Sequence, residues 1–295
     1  MPSPAPEPLA IVRSLGLAGG VRATAVAGGT DTTIWRVETD RAAYALRLYR
    51  QGQAAVAERE VVAMSAAAGA GLAVPSVHAS GTWQGRPVLL MSWMPGHPLA
   101  DEVGGHPWRG WRLGAEFGNA QAALHRVPVP AALRRHPVPW IEWAGPDEAL
   151  RARLQAVSDQ PGVLLHLDYH PRNVLVAEGR VSAVIDWANV RSGDRRADLA
   201  RTASILRFAP LGVALSPPAA RLARTALMAG WRRGYRHTAG ATGGMAPFYA
   251  WAGSVMLRDL TPRLGRPDLP WLTPAFLVRV QDWTAAWRSR AGLPP

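Results

Sequence analysis

The sequence predicts an α+β protein in two lobes, a small antiparallel sheet followed by a mainly helical body. Three observations predict it. Residues 33–39 and 42–49 alternate apolar and polar side chains on either side of a short Asp40-Arg41 turn. A breaker-rich stretch follows the strand-like run at 86–96. Beyond Pro98, segment after segment repeats its apolar residues near every 3.6 positions, the period of a helix with one buried face. With 295 residues, 48% of them apolar, the chain can bury a full core.

In chain order, the proline-rich start MPSPAPEPLA reads as a loose tail; it lacks the basic start and long apolar run of a secretory signal. The Gly28-Gly29-Thr30 segment precedes the strand pair at 33–39 and 42–49 as a turn between antiparallel strands. Residues 53–68, rich in Ala and Glu, form a helix, and AlaGlyAlaGlyLeuAlaValPro after it breaks the pattern. The strand at 86–96 runs into a hinge at 93–97, which divides an N-terminal lobe, 1–92, from a C-terminal lobe, 98–295. Helices are expected at 107–126, 146–157, 195–208, 218–238, 246–261 and 274–291. No internal repeat is visible.

Residues 164–187, LLHLDYHPRNVLVAEGRVSAVIDW, carry the chemistry. ValLeuLeu before His166, ValLeuVal after Asn173 and ValSerAlaValIle before Asp186 are short strand-forming runs, the last two joined by GluGlyArg. Such a hairpin presents Asn173 at the start of one strand and Asp186 at the end of its partner, on one edge. Phosphoryl transfer asks for this set: an Asp that orients and deprotonates the attacking hydroxyl, an Asn five residues on that takes one metal ion, and a further Asp that holds the metal bridging the phosphates. Asp168, Asn173 and Asp186 fit those places. One amide oxygen and one carboxylate suffice for Mg2+ when ATP supplies the remaining oxygens. A competing reading sets His166, Asp168 and His170 on one strand face as zinc ligands. Pro171 argues instead for a loop there.

The motifs HisLeuAspTyrHisProArgAsn, ValIleAspTrp and GlyAspArgArgAlaAspLeuAla resemble those of the aminoglycoside phosphotransferase family, itself similar to choline, homoserine, methylthioribose and fructosamine kinases. The resemblance spans nearly the whole chain and implies a protein-kinase-like fold with nucleotide held between the lobes. It implies that Asp168 is the base, that Asn173 and Asp186 are metal ligands, that Asp198 braces the catalytic loop, and that His166 is structural. His170 could approach the phosphate or nothing. Alternation in TyrAlaLeuArgLeuTyr puts Ala45 and Arg47 on one face and Leu46 and Leu48 on the other. The family's strand lysine therefore falls on Arg47. The resemblance favours Glu60 over Glu58 as its helix partner. Backbone amides at Gly28 and Gly29 would approach phosphate. Adenine would meet the backbone of Ser92, Trp93 and Met94 with Met91 beneath. For the acceptor, Trp140, Glu142, Trp143, Asp147 and Glu148 precede the catalytic loop, and Tyr249, Trp251 and Asp259 share a late helix.

Composition excludes some classes. Without cysteine there are no disulfides or thiolate metal sites. All 33 basic residues are arginine, which points to coding bias as well as surface chemistry. They are scattered, with no basic run, so nucleic acid is not an expected partner, and the longest apolar runs, such as ValLeuLeuMet at 88–91, are too short to cross a bilayer, so no membrane is expected either. A polycationic acceptor fits poorly with a net charge of +12, so a neutral, zwitterionic or anionic small alcohol is preferred. The absence of any address reads as cytoplasmic. The expected activity is ATP- and Mg2+-dependent phosphorylation of a small-molecule hydroxyl. The alternative is a nucleotide-binding pseudokinase serving as a sensor or partner surface, left open by the arginine at 47.

Overall fold

A computed structural model describes residues 7–17, 21–26, 32–134, 139–158, 162–210 and 215–294. Gly28 and Gly29 lie outside the described residues. Helix α1 (Pro8–Ser14) leads into strands β1 (Arg22–Val26), β2 (Thr33–Glu38) and β3 (Ala43–Leu48), helix α2 (Ala54–Gly69), and strands β4 (Val77–Trp83) and β5 (Arg86–Ser92). The strands form one antiparallel sheet in the order β1-β2-β3-β5-β4. Period-2 alternation explains its two faces. Leu46, Leu48, Val88 and Leu90 turn to one side, where they meet Trp35, Val37, Ile11 and Val12. Tyr49, Leu89 and Met91 turn to the other, toward Ala57, Ala63, Met64 and Ala67 of α2.

The expected loose tail is corrected from Pro8 onward. Pro8 opens a helix whose Ile11 and Val12 are fully buried against the sheet. Its ring pre-sets the first helical φ, and an otherwise exposed apolar sheet face supplies the burial. Strand β4 shows no period in the sequence, because ValHisAlaSerGlyThrTrp is too polar, whereas β1, an exposed edge antiparallel to β2, is the strand expected before residues 28–30. The β4–β5 hairpin turns on Gln84 and Gly85, whose φ of 49° and 75° match the right-handed twist of the flanking strands.

The second half contains the two-residue strand β6 (His97–Pro98), helix α3 (Leu99–Gly105), a 3-10 turn at Pro107–Arg109, and α4 (Gly110–Leu124). Then come α5 (Ala131–Arg134), a 3-10 turn at Trp140–Ala144, α6 (Glu148–Val157), and strands β7 (Val163–Leu165), β8 (Val174–Ala177), β9 (Arg180–Val184) and β10 (Arg191–Gly193). Helices α7 (Arg195–Phe208), α8 (Pro217–Ala239), α9 (Ala246–Leu260) and α10 (Pro274–Arg290) complete it, with a 3-10 turn at Thr261–Arg263 after α9. The chain is thus α+β, with an antiparallel-sheet N-terminal lobe and a helical C-terminal part. No helix among the described residues is long and apolar enough to cross a membrane.

The segment expected as hinge lies against the β8–β9 hairpin. His97 pairs with Val176, and Ser182 Oγ donates to Pro95 O at 2.7 Å. Gly96 adopts φ 102°, and a Cβ there would stand 2.5 Å from Val176 O, so both conformation and space require glycine.

Helices α4 and α8 run parallel with their backbones nearly touching. A Cβ on Gly114 would meet Leu227 O at 2.3 Å, one on Gly118 would meet Trp231 O at 2.2 Å, and one on Gly234 would meet Ala115 O at 2.1 Å. These are backbone atoms with no rotamer to yield. Gly118→Ala is expected to lower stability by about 1–3 kcal/mol through overpacking, read as a drop of several degrees in Tm. An unchanged Tm would contradict the close packing.

Candidate active site

The β8–β9 hairpin builds the site. Its turn residues Glu178 and Gly179 have φ of 53° and 75°, the two-residue geometry of a tight hairpin. Val174 faces Val184, and the Ile185 amide donates to Asn173 O at 2.9 Å. Asn173 and Asp186 therefore emerge at the same end. Asn173 Nδ2 donates to Asp168 O at 3.0 Å and to Asp168 Oδ2 at 3.3 Å, which leaves its amide oxygen with no partner among the described residues. The side chains of Asp168 and Asp186 are 27% and 39% exposed, so both reach solvent from a buried frame. The sequence-predicted trio is brought together.

Two non-glycine residues here hold left-handed backbone, Leu167 at φ 60° and Asp186 at φ 63°. Such conformations cost energy and persist only where neighbours over-determine them. At Leu167 the determinant is Asp198, fully buried on α7, whose Oδ1 accepts from the Leu167 amide at 2.5 Å. Its Oδ2 accepts from Gln121 Nε2 at 3.0 Å and lies 2.9 Å from His125 Nε2. Gln121 Oε1 in turn accepts from Trp231 Nε1 at 2.8 Å, and His125 Nδ1 lies 2.8 Å from the Tyr235 hydroxyl. The α4–α8 pair thus fixes the carboxylate that fixes the loop. Burial works against charge on Asp198, yet the bond and charge of His125 and the Gln121 amide hold its carboxyl below the usual range.

His166, also fully buried, bonds through Nε2 to Ile185 O at 3.1 Å and packs against Tyr169 and Trp187. His170 Nδ1 accepts from the Arg172 amide at 3.2 Å, and its Nε2 is 3.6 Å from Asp168 Oδ1. Burial lowers the pKa of His170. With His166 turned to the backbone, the zinc reading loses its convergence. Among the described residues no group of three or more such side chains could hold a metal by itself.

Above the hairpin, Arg47 of β3 is almost fully buried. Its Nη1 donates to both oxygens of Glu60, at 2.8 and 3.1 Å, Nη2 to Asp186 Oδ1 at 2.8 Å, and Nε to Thr32 Oγ1 at 3.1 Å. The Tyr49 hydroxyl donates to Glu60 Oε2. Glu58 is exposed, so α2 offers Glu60. Burial pushes Glu60 up, to about 7, against the pull of Arg47. Asp186 is held below its usual value because the Arg47 charge outweighs its burial. The guanidinium, between two carboxylates, is raised further despite its burial.

The expected adenine edge narrows. The Ser92 amide donates to Ser76 O and the Trp93 amide to Ala43 O, both at 2.9–3.1 Å, whereas the Met94 amide meets no backbone acceptor among the described residues. Met91 and Ala45 pack into the apolar cluster shared with β8 and β9. On the acceptor side the expectations divide. Trp140 and Trp251 are core, stacked with Phe248 or edge-on to each other. Asp147 caps α6 at Leu150 N and pairs with Arg288. Trp143 instead lies under two guanidinium groups, Arg191 at 5.1 Å and Arg258 at 5.8 Å from its centroid. Asp259 sits between Arg258, at 2.6 Å, and Arg201, at 3.5 Å, and Arg201 Nε reaches Leu167 O at 3.4 Å. Sequence reasoning missed these arginines, since nothing distinguishes one arginine among so many. It also missed Tyr49, which the alternation placed on the face of Arg47.

Asp198→Ala is expected to cost about 3–5 kcal/mol, since it strands the Leu167 amide, His125 and Gln121 in a dry interior. The depressed folded pKa also sets a pH window. Asp198's contribution is fully present above the ordinary carboxylate value of 3.8 and is lost as pH falls through the lower folded value. A urea midpoint followed from pH 7 to pH 2 should therefore lose this contribution only below pH ~4, and Asp198→Asn should flatten that part of the profile.

A family profile described as the phosphotransferase enzyme family (APH) matches residues 22–237. No curated protein matches the chain. Among solved structures, aminoglycoside phosphotransferase APH(4)-Ia is similar at TM-score 0.64 and 17% identity, covering 97% of this chain and 98% of that one. Amicoumacin kinase hAmiN, solved with AMP-PNP, Ca2+ and Ami, is similar at 0.65 and 13%, covering 96% and 94%. Spectinomycin phosphotransferase APH(9)-Ia, solved with ADP and spectinomycin, is similar at 0.56 and 13%, covering 90% and 93%. At these identities the likeness is one of fold, and the profile match over most of the chain carries the assignment: the protein belongs to the phosphotransferase enzyme family.

Proposed function

We propose that this protein transfers the γ-phosphoryl group of ATP, with Mg2+, to a hydroxyl of a small molecule. The observation that carries the reading is the placement of Asp168, Asn173 and Asp186 at one end of the β8–β9 hairpin, facing the Arg47–Glu60 pair. In this reading the nucleotide lies between an N-terminal lobe, 1–92, and a C-terminal lobe, 98–295, joined by a hinge at 93–97. The Met94 amide offers the adenine edge a donor, and Ala45 and Met91 a wall.

The residues fit a divalent ion. Asn173 spends its Nδ2 on Asp168 and keeps an amide oxygen without a partner among the described residues, while Arg47 engages one oxygen of Asp186. Hard oxygen donors few in number suit Mg2+, which takes its other ligands from phosphate and water. Bound there, the ion would neutralise charge building on the transferred phosphoryl group. Asp168 accepts the proton of the attacking hydroxyl, and the Asn173 amide fixes the angle of its carboxylate. Asp198, through the Leu167 amide, keeps that carboxylate in place. His166 ties the loop to the residue before Asp186.

The acceptor wall favours a neutral, zwitterionic or anionic alcohol. Arg201 and Arg258 share the carboxylate of Asp259 there, and Arg191 and Arg258 lie on the Trp143 ring. A polycation would meet repulsion. The complexes of similar folds with Ami and with spectinomycin support a small-molecule acceptor.

ATP turnover with hydroxy acids, amino alcohols and amino sugars tests the reading. Asp168→Asn is expected to reduce kcat by about 10²–10⁴-fold and to keep the thermal shift with ADP and Mg2+. Nucleotide binding without transfer or hydrolysis for any acceptor would favour the pseudokinase alternative.

A further inference from the structure

Arg47 spends its N–H groups in three directions. Thr32 and Glu60 belong to the sheet-and-helix lobe, whereas Asp186 follows β9 in the other lobe. The Tyr49 ring lies 5.1 Å from the guanidinium carbon. A planar fork fixes these partners in set directions from three nitrogens, whereas an ammonium offers three rotatable donors on a single nitrogen. Asp186 therefore already has a cation partner at 2.8 Å, supplied by the protein itself.

We propose that Arg47 acts as an internal counter-cation that makes the cleft accept metal and polyphosphate jointly and disfavours either alone. This rests on the assignment of Asp186 as a metal ligand and goes beyond it. A divalent ion arriving alone at the second oxygen of Asp186 shares one carboxylate with the buried Arg47 guanidinium and places two cations side by side with no further anion to screen them. A polyphosphate arriving alone can draw Nη2 away only by leaving Asp186 uncompensated beside more negative charge. The complex of the two settles both accounts: a phosphate oxygen replaces Asp186 at Nη2, and the ion replaces Nη2 at Asp186. No bond other than hydrogen bonds and ion contacts is exchanged. Arg47 is here a positioning residue, since it sets which ligand species binds.

Calorimetric titration and thermal shift with Mg2+ alone, ADP in EDTA, and ADP with Mg2+ test this on the wild type and Arg47→Lys. The wild type is expected to show no shift with Mg2+ alone and to bind ADP at least ~10-fold more tightly with Mg2+ than without, within the usual range of site coupling. Arg47→Lys should melt at a lower temperature unliganded, respond to Mg2+ alone, and lose most of the coupling. Equal coupling in the two proteins, or a wild-type response to Mg2+ alone as large as the variant's, overturns the proposal while leaving the nucleotide site standing. Should Arg47→Lys fail to fold, Asp186→Asn serves: ADP in EDTA should bind it more tightly than wild type, and weaker binding overturns the proposal. No ADP binding in any form removes the nucleotide reading and this inference with it.

Discussion

The site depends on one buried charge. Asp198 has no access to water, and its two oxygens divide the work: one faces the strained Leu167 amide, the other faces side chains from α4. A charge in that position is tolerable only if every lone pair is engaged, because desolvation would otherwise neutralise it. The requirement propagates outward. Gln121 and His125 can both reach Asp198 only from one helix face, and that face is oriented by Trp231 and Tyr235 of α8. Those two can approach only because the glycines of α4 and α8 remove the side chains that would separate the backbones. A loop of few residues is thus held by a helix pair well behind it, and the catalytic candidates inherit the rigidity of that pair rather than of their own short strands.

The opposite wall follows a similar logic with the signs exchanged. In a chain without lysine, the cation opposite the hairpin is a guanidinium, and its burial among two carboxylates and a tyrosine converts a flexible side chain into a strut. The Coulomb attraction is worth more there than on the surface, where ion pairs such as Arg36–Glu38 are screened. Glu60 illustrates the balance. Burial pulls it toward the neutral form and Arg47 toward the charged one, so its proton affinity reports how tightly the strut is held.

What the sequence disclosed, it disclosed through period and spacing. The long helices of the second half declared themselves because their buried stripes repeat over many turns: the expected 195–208 coincides with α7, and 246–261 with α9 to within a residue. The trio of Asp168, Asn173 and Asp186 was legible because type, order and separation agreed within a short hairpin. Elements that failed to show have physical reasons. Strand β4 carries His, Ser, Gly and Thr, so no alternation marks it, and α1 hides behind prolines that usually signal disorder. The acceptor wall was half legible. Tryptophans 140, 143 and 251 look alike in sequence, yet two pack into the core and one carries guanidinium groups, a difference fixed by helix packing.

Net charge and local charge must also be kept apart. The +12 of the chain is spread over a surface where salt screens most of it beyond about 8–10 Å. It says little about what enters a cleft. Local charge has its own balance: Asp168 and Asp186 stand with Arg47 opposite, while Arg201 and Arg258 share Asp259 and Arg191 lies on the Trp143 ring. In the proposed reaction the two carboxylates would suit a metal-bound phosphate, and the arginines an acceptor of negative or no charge.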